Sequence, residues 1–228
     1  MMSINIFHAS DLHGQLHYLS ETDFADQADL FLLTGDMLPN KPSKYKNIIK
    51  EQEKTFQENW FHNEAKESVT KFKAVVGNKP VFYVNGNHDF VDLGLLLNQA
   101  GFKSVVAINQ HNLVYFNGVT FAGFGHIPYI RGEWNDELQY KELDEVVDKA
   151  LRLCPDVLVT HAGPYGILDE EKGYGIRPLS MKLQYNPNLI TFKHHFFGHC
   201  HQDGGKTVEY NGIKFYNGAV SLSLHTIT

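Results

Sequence analysis

Two cysteines in 228 residues, Cys154 and Cys200, are too few and too far apart for a disulfide scaffold, so a reducing compartment is expected. No apolar run is long enough to span a bilayer, and no membrane partner is expected. The opening "MMSINIFHASD" meets a polar residue before the apolar region of a signal peptide could form, which points to a cytoplasmic protein. No Pro/Ser/Gly-rich linker, low-complexity block or internal repeat divides the chain, and a single domain over residues 1–228 is expected. A basic excess is also missing: 20 Lys+Arg against 26 Asp+Glu give a formal net charge of −6. Stable binding to duplex nucleic acid is therefore not expected, since a basic face supplies most of its affinity. A small phosphate-bearing substrate stays open, because bound cations reverse the local field.

What the chain does have is histidine in unusual places. "HHFFGHCHQ", His194 to Gln202, crowds four imidazoles around an apolar pair. An isolated histidine is ordinarily a surface residue or a satisfied core residue, so the partners decide the matter. They recur along the chain. "INIFHAS" runs into Asp11 and His13, "DLFLLTG" into Asp36, and "PVFYVNG" into Asn87, His88 and Asp89. "PDVLVT" runs into His161 and "HFFG" into His199 and His201. Each time an apolar run of strand length is followed by a small or polar residue and then a metal-capable side chain.

Such runs fit strands covered on both faces, with helices between them. "DELQYKELDEVVDKALRL", Asp136 to Leu153, has near-helical apolar spacing, acids at its start and Lys149 and Arg152 near its end. "KYKNIIKEQEKTFQENWFHNEAKESVTKF", residues 44–72, predicts one long amphipathic helix or two shorter ones. Asn117-Gly118 and Asn211-Gly212, each between β-rich runs, predict two hairpins. The result is an α/β fold in which hairpins extend a partly parallel framework. Loops leaving one sheet edge would bring the scattered donors together.

Asp11, His13, Asp36, Asn87, His161, His199 and His201 are seven oxygen or nitrogen donors, too many for one tetrahedral zinc. Two divalent ions sharing a carboxylate use them economically. The donor chemistry suits manganese, iron or zinc, and Cys200 reads as packing. Adjacent ions acidify a bridging water, clamp phosphoryl oxygens and neutralise charge during in-line displacement.

"SDLHG", "TGD", "GNHD", "THAGP" and "GHCH", in that order from Asp11 to His201, resemble the five blocks of the calcineurin-like metallophosphoesterase superfamily. The resemblance implies a four-layer α/β/β/α sandwich of two mixed β-sheets flanked by helices. It assigns Asp11, His13 and His201 to one metal, Asn87, His161 and His199 to the other, and Asp36 to both. Manganese is the expected metal in vitro, with iron, zinc or a mixed pair as alternatives. His88 is expected not to ligate but to face the phosphate, stabilising the transition state or protonating the leaving oxygen. Asp89 is expected to buttress its loop.

"DLHGQL" is similar to the opening block of Ser/Thr protein phosphatases and diadenosine tetraphosphatases, but "GDMLPNK" departs from their second block. Pro39 stands where that branch has the acid that orients its histidine, and the phosphate-gripping arginine has no counterpart. "GHCHQDGG" followed by "VEYNGIKFYNGA" is more similar to small phosphodiesterases. The expectation is thus a metal-dependent phosphodiesterase acting on a small nucleotide-like, even cyclic, substrate through a metal-bridging hydroxide. A phosphomonoesterase, a protein or dinucleoside-polyphosphate phosphatase, and a metal-binding interaction scaffold are the alternatives. His126, Arg131 and Arg177 are candidates for holding phosphate or base, since arginine offers a bidentate fork. Tyr129 and Tyr174 are candidates for stacking on a base. His8, His62, His111, His194, His195 and His225 carry no spacing that asks for a role.

Overall fold

The computed structural model describes residues 3–40, 49–169 and 173–228. All five motif-bearing runs are strands. The chain opens with β1 (Ile4–Ser10), β2 (Leu30–Leu33), helices α1 (Lys50–Asn63) and α2 (Lys66–Val76), β3 (Val81–Tyr83), α3 (Leu93–Gln99) and β4 (Val105–Ala107). It continues through β5 (Val114–Phe116), β6 (Val119–Phe124), a short parallel pair, β7 (Ile127–Pro128) and β8 (Glu137–Leu138), then α4 (Tyr140–Arg152) and β9 (Val157–Ala162). It closes with α5 (Arg177–Tyr185), β10 (His194–Gly198), β11 (Thr207–Tyr210), β12 (Ile213–Asn217) and β13 (Ser221–Ile227).

One sheet has the order β13-β1-β2-β3-β4, parallel except where β13 meets β1. The other, β11-β12-β10-β9-β6-β5, is parallel at its centre and antiparallel at its two hairpins. Asn117 and Gly118 turn with φ of 48° and 82°, and Asn211 and Gly212 with 52° and 73°. Two consecutive left-handed residues are what a tight hairpin matching the strand twist requires.

Three buried clusters separate the layers. Phe7, Phe31, Phe61, Phe72 and Leu96 fill the space between the first sheet and α1 to α3. Ile6, Leu32, Phe121, Val159 and Phe196 lie between the sheets. Leu143, Val147, Leu158, Leu179 and Phe197 pack α4 and α5 on the second sheet. Alternate residues of one strand feed different clusters, Ile4 and Ile6 inward and Phe7 and Ala9 toward the helices. Three apolar interfaces make four layers, α/β/β/α. Each fully buried large side chain stabilises by about 1.5–3 kcal/mol relative to exposure. The sandwich thereby holds the strand ends that carry the motifs.

Two elements differ in extent from the sequence reading. Residues 50–76 form two helices, while residues 44–48 of the expected segment lie outside the described residues. The helix expected from Asp136 starts at Tyr140, because Glu137 and Leu138 pair with β7 and Gln139 caps the helix in a reciprocal capping box with Glu142. Among the described residues, no helix is long and apolar enough to cross a membrane.

Candidate metal centre

The site is assembled by loops laced to one another at the strand ends. Asp11 and His13 follow β1 with φ of 55° and 43°, Asp36 follows β2 at 54°, and His199 follows β10 at 69°. Left-handed backbone of this kind costs a non-glycine residue about 1–3 kcal/mol, so surrounding bonds must hold it. They do. The peptide N–H groups of Asp11 and His13 donate to the carbonyls of Gly35 and Asp36 at 2.9 and 3.0 Å, joining the first loop to the second. The Asp89 carboxylate accepts from the N–H of Asp36 (2.8 Å), Leu38 (2.9 Å) and Gly86 (2.9 Å), joining the second to the third. His161 Nδ1 donates to the Thr34 carbonyl at 2.8 Å, and the His199 N–H donates to Asp11 Oδ2 at 2.9 Å.

Two glycines are steric requirements of this lacing. A Cβ on Gly86 would collide with Asp36 Oδ1, and one on Gly198 with Ser10 Oγ and Asp11 Oδ2. The glycines of "GNHD" and "GHCH" therefore let a strand end press directly against a carboxylate.

Asp11, His13 and His201 bring ligand atoms within 4.8 Å of one another, as do Asp36, His161 and His199. A third such group, His13, Asp36 and His88, links the two. Asn87 Oδ1 lies 3.0 Å from His161 Nε2, and His161 Nε2 lies 3.4 Å from Asp36 Oδ2. Ring nitrogens face each other, His13 Nε2 and His201 Nε2 at 3.4 Å and His199 Nδ1 and His161 Nε2 at 3.3 Å. All seven expected ligand residues thus converge.

The electrostatics fit cations. Burial opposes a charge on His161, yet the Asp36 and Asp11 carboxylates outweigh it and raise the imidazole to about 10. Burial works to raise Asp36, but His161 above all reverses it and holds the carboxyl well below its ordinary range. Asp11 is likewise lowered against burial, chiefly by the bond from His201. His199, by contrast, is pushed down to about 4 by burial and by the neighbouring His161. Ionised carboxylates beside imidazoles that cannot all take a proton make a place where added positive charge is stabilised. With Nδ1 of His161 fixed on a carbonyl, its Nε2 faces the cluster, where a cation would take the place of the proton that the carboxylates otherwise hold on the ring.

A cavity of about 340 Å³ opens over this cluster, lined by Asp36, Asn87, His88, His199 and His201 together with Ile130, Arg131, Trp134 and Tyr174. His88 Nε2 is 3.9 Å from Asp36 Oδ2, and its N–H donates to Asp36 Oδ1 at 2.7 Å. Of the three substrate-contact candidates, Arg131 lines the cavity. Arg177 does not: its guanidinium lies 4.2 Å over the Tyr165 ring, beside a separate cleft shared with Tyr129. His126 is half-buried next to Phe124, with Asp136 and His111 as its neighbours, and is also absent from the cavity wall. Tyr174 lines the cavity and Tyr129 does not.

Several residues at the site escaped the sequence reading. Trp134 lies 4.0 Å from the His88 ring, centroid to centroid, and Asn40 bonds His88 Nδ1 through its side-chain amide. Gln57, fully buried on α1, donates to the His88 carbonyl at 2.6 Å and accepts from the Phe90 N–H at 2.8 Å. Glu137 gathers four peptide N–H groups, those of Ile130, Arg131, Gly132 and Trp134, at 2.7–2.9 Å. Only Asn40 stood close to a motif, four residues past Asp36.

A four-layer sandwich with His and Asp clusters at its strand ends has the architecture of the metallo-dependent phosphatases. The chain belongs to the calcineurin-like phosphoesterase family, whose model matches residues 4–203. A comparison with curated protein sequences gives no match. Among solved structures, one is matched over 100% of both chains with a TM-score of 0.62 and 14% identity. "Putative 5'-Nucleotidase from Staphylococcus aureus" is matched over 100% of this chain with a TM-score of 0.58 and 12% identity, and the chain spans 51% of that protein's length. A dimetal phosphatase from Danio rerio is matched over 94% of this chain and 86% of its own, with a TM-score of 0.53 and 12% identity. At these identities the likeness is one of fold.

Proposed function

We propose that the protein is a phosphodiesterase for a small nucleotide-like substrate, working with two divalent cations, manganese sufficing in vitro. The observation that carries this reading is the convergence of the Asp11–His13–His201 and Asp36–His161–His199 groups beneath one cavity. Asp11, His13 and His201 would hold one cation, Asn87, His161 and His199 the other, and Asp36 both. Such ions supply charge neutralisation at the phosphoryl oxygens and an acidified water.

The chain's own residues bind and orient. Arg131 has its Nε on Glu133 at 2.9 Å, which leaves its terminal nitrogens to meet a phosphate oxygen. His88 would face the ester oxygen that leaves, donating a hydrogen bond or a proton to it. Trp134, Tyr174 and Ile130 offer apolar and aromatic surface to an organic substituent. A diester brings one negative charge and two such substituents, which suits a wall with a single arginine better than a dianionic monoester would. Rates with cyclic nucleotides, bis(p-nitrophenyl) phosphate and p-nitrophenyl phosphate in the presence of manganese test this. Hydrolysis of diesters well above the monoester is expected, and preference for the monoester overturns the assignment.

A further inference from the structure

His88 is gripped from several sides by residues outside the ligand set. Its Nδ1 meets the Asn40 amide, its ring lies against Trp134 at 4.0 Å and a 38° tilt, and its peptide carbonyl accepts from Gln57. The backbone of Trp134 is itself tied down, its peptide N–H on Glu137 at 2.8 Å. The next residue, Asn135, donates from its N–H to the Asn87 carbonyl at 3.0 Å and from its amide to the Asp89 carbonyl at 2.9 Å. The loop between β7 and β8 is thus bonded to both neighbours of His88. An imidazole is free to rotate about two torsions unless its ring nitrogen and its face are both contacted, and here both are.

We propose that Asn40 and Trp134 are positioning residues for His88, Asn40 setting the ring's rotation through Nδ1 and Trp134 closing the side it would swing toward. Either orientation of the Asn40 amide bonds Nδ1, as donor or as acceptor, so a neutral group serves for both tautomers. With Nδ1 engaged, Nε2 is the nitrogen left to the cavity, on the side of Asp36. The role rests on the phosphodiesterase reading, in which His88 assists the leaving group.

The test uses the full chain in two arms. In the first, kcat and KM for bis(p-nitrophenyl) phosphate and bound manganese are measured for Asn40→Ala, Trp134→Ala, Asn40→Asp and Trp134→Phe. Both alanine variants are expected to lose roughly ten- to a hundredfold in kcat, the scale of a misplaced catalytic group, with metal content unchanged. KM should hold for Asn40→Ala and rise for Trp134→Ala, whose ring also lines the cavity. The two conservative variants are expected to recover most of the rate. In the second arm, imidazole 15N resonances of His88, assigned with His88→Asn, are recorded on the metal-free protein. They should be sharp in the wild type and shifted or broadened in both alanine variants. Wild-type kcat with unchanged His88 resonances in the alanine variants overturns the proposal, as does a conservative variant no better than alanine. If the wild-type protein hydrolyses no diester, the functional reading fails alone, because the resonances still report whether the ring is held.

Discussion

The His199 peptide N–H donates to Asp11 Oδ2 at 2.9 Å, joining residues 188 positions apart. It uses one oxygen of the carboxylate as a fastener. The other, Oδ1, faces His201 Nε2 at 3.2 Å and remains directed into the cluster. The same division recurs at Asp36, where Oδ1 accepts the His88 N–H and Oδ2 faces His161. Each carboxylate fixes a loop with one oxygen and keeps the other directed into the cluster, where a cation would meet it.

Asp36 belongs to two of the His/Asp groups, so Asp36→Ala should abolish diester hydrolysis and lower bound metal together. Elemental analysis of protein dialysed against manganese checks this. Normal metal content in an inactive variant would remove its shared role.

His88→Ala should keep its metal and lose roughly two to four orders of magnitude in turnover, the usual range for lost acid-base assistance. Steady-state rates and metal content read the two effects separately. A variant near the wild-type rate would take His88 out of the reaction.

Arg131→Ala should raise KM about tenfold with little change in kcat, because the guanidinium lines the cavity and would bind ground and transition states alike. Arg177→Ala provides the contrast. An equal rise in KM there would move the substrate surface toward the Tyr165 side.

Both oxygens of Asp89 accept peptide N–H groups, which requires an ionised carboxylate, although burial and the Asp36 charge push its carboxyl up to about 7. Asp89→Asn should cost about 2 kcal/mol or more, since an amide NH₂ would then face N–H donors. Denaturant unfolding measures it. An unchanged midpoint would mean that Asp89 is protonated in the folded protein.

His195 is fully buried among Phe192, Phe197 and Phe215, with Nε2 at 2.7 Å from Thr160 Oγ1, and burial lowers it to about 3. Above its ordinary value of 6.5 neither the folded nor the unfolded chain holds the proton. Below 6.5 the unfolded chain takes it up and the folded chain does so only near 3, so stability falls as pH falls through that window. His195→Phe should flatten this acid limb by up to about 1.4 kcal/mol per pH unit. Thermal unfolding between these pH values reads the slope, and parallel curves for the two proteins would refute the assignment.

The sequence by itself determined the strands, the hairpins and where the seven metal-capable side chains fall along the chain. Each rests on local physics: apolar runs bounded by turn residues, Asn-Gly pairs that accept left-handed backbone, and metal-capable side chains placed just past a strand end. Why Gly86 and Gly198 must be glycine shows only in the structure, where a Cβ on either would meet a carboxylate. The tertiary structure alone decided what surrounds those donors. Trp134 and Asn135 sit in the loop before β8 and Glu137 at the start of that strand, a stretch with no pattern of its own, and the acids near Asp136 even mimicked the start of a helix. Their significance comes from bonds to Asn87, Asp89 and the peptides of residues 130–134, and only packing brings those together. The same holds for the arginines. Arg131 follows a hairpin and Arg177 a glycine-bearing loop in sequence, but the first, between β7 and β8, lines the cavity, while the second, at the start of α5, lies over Tyr165.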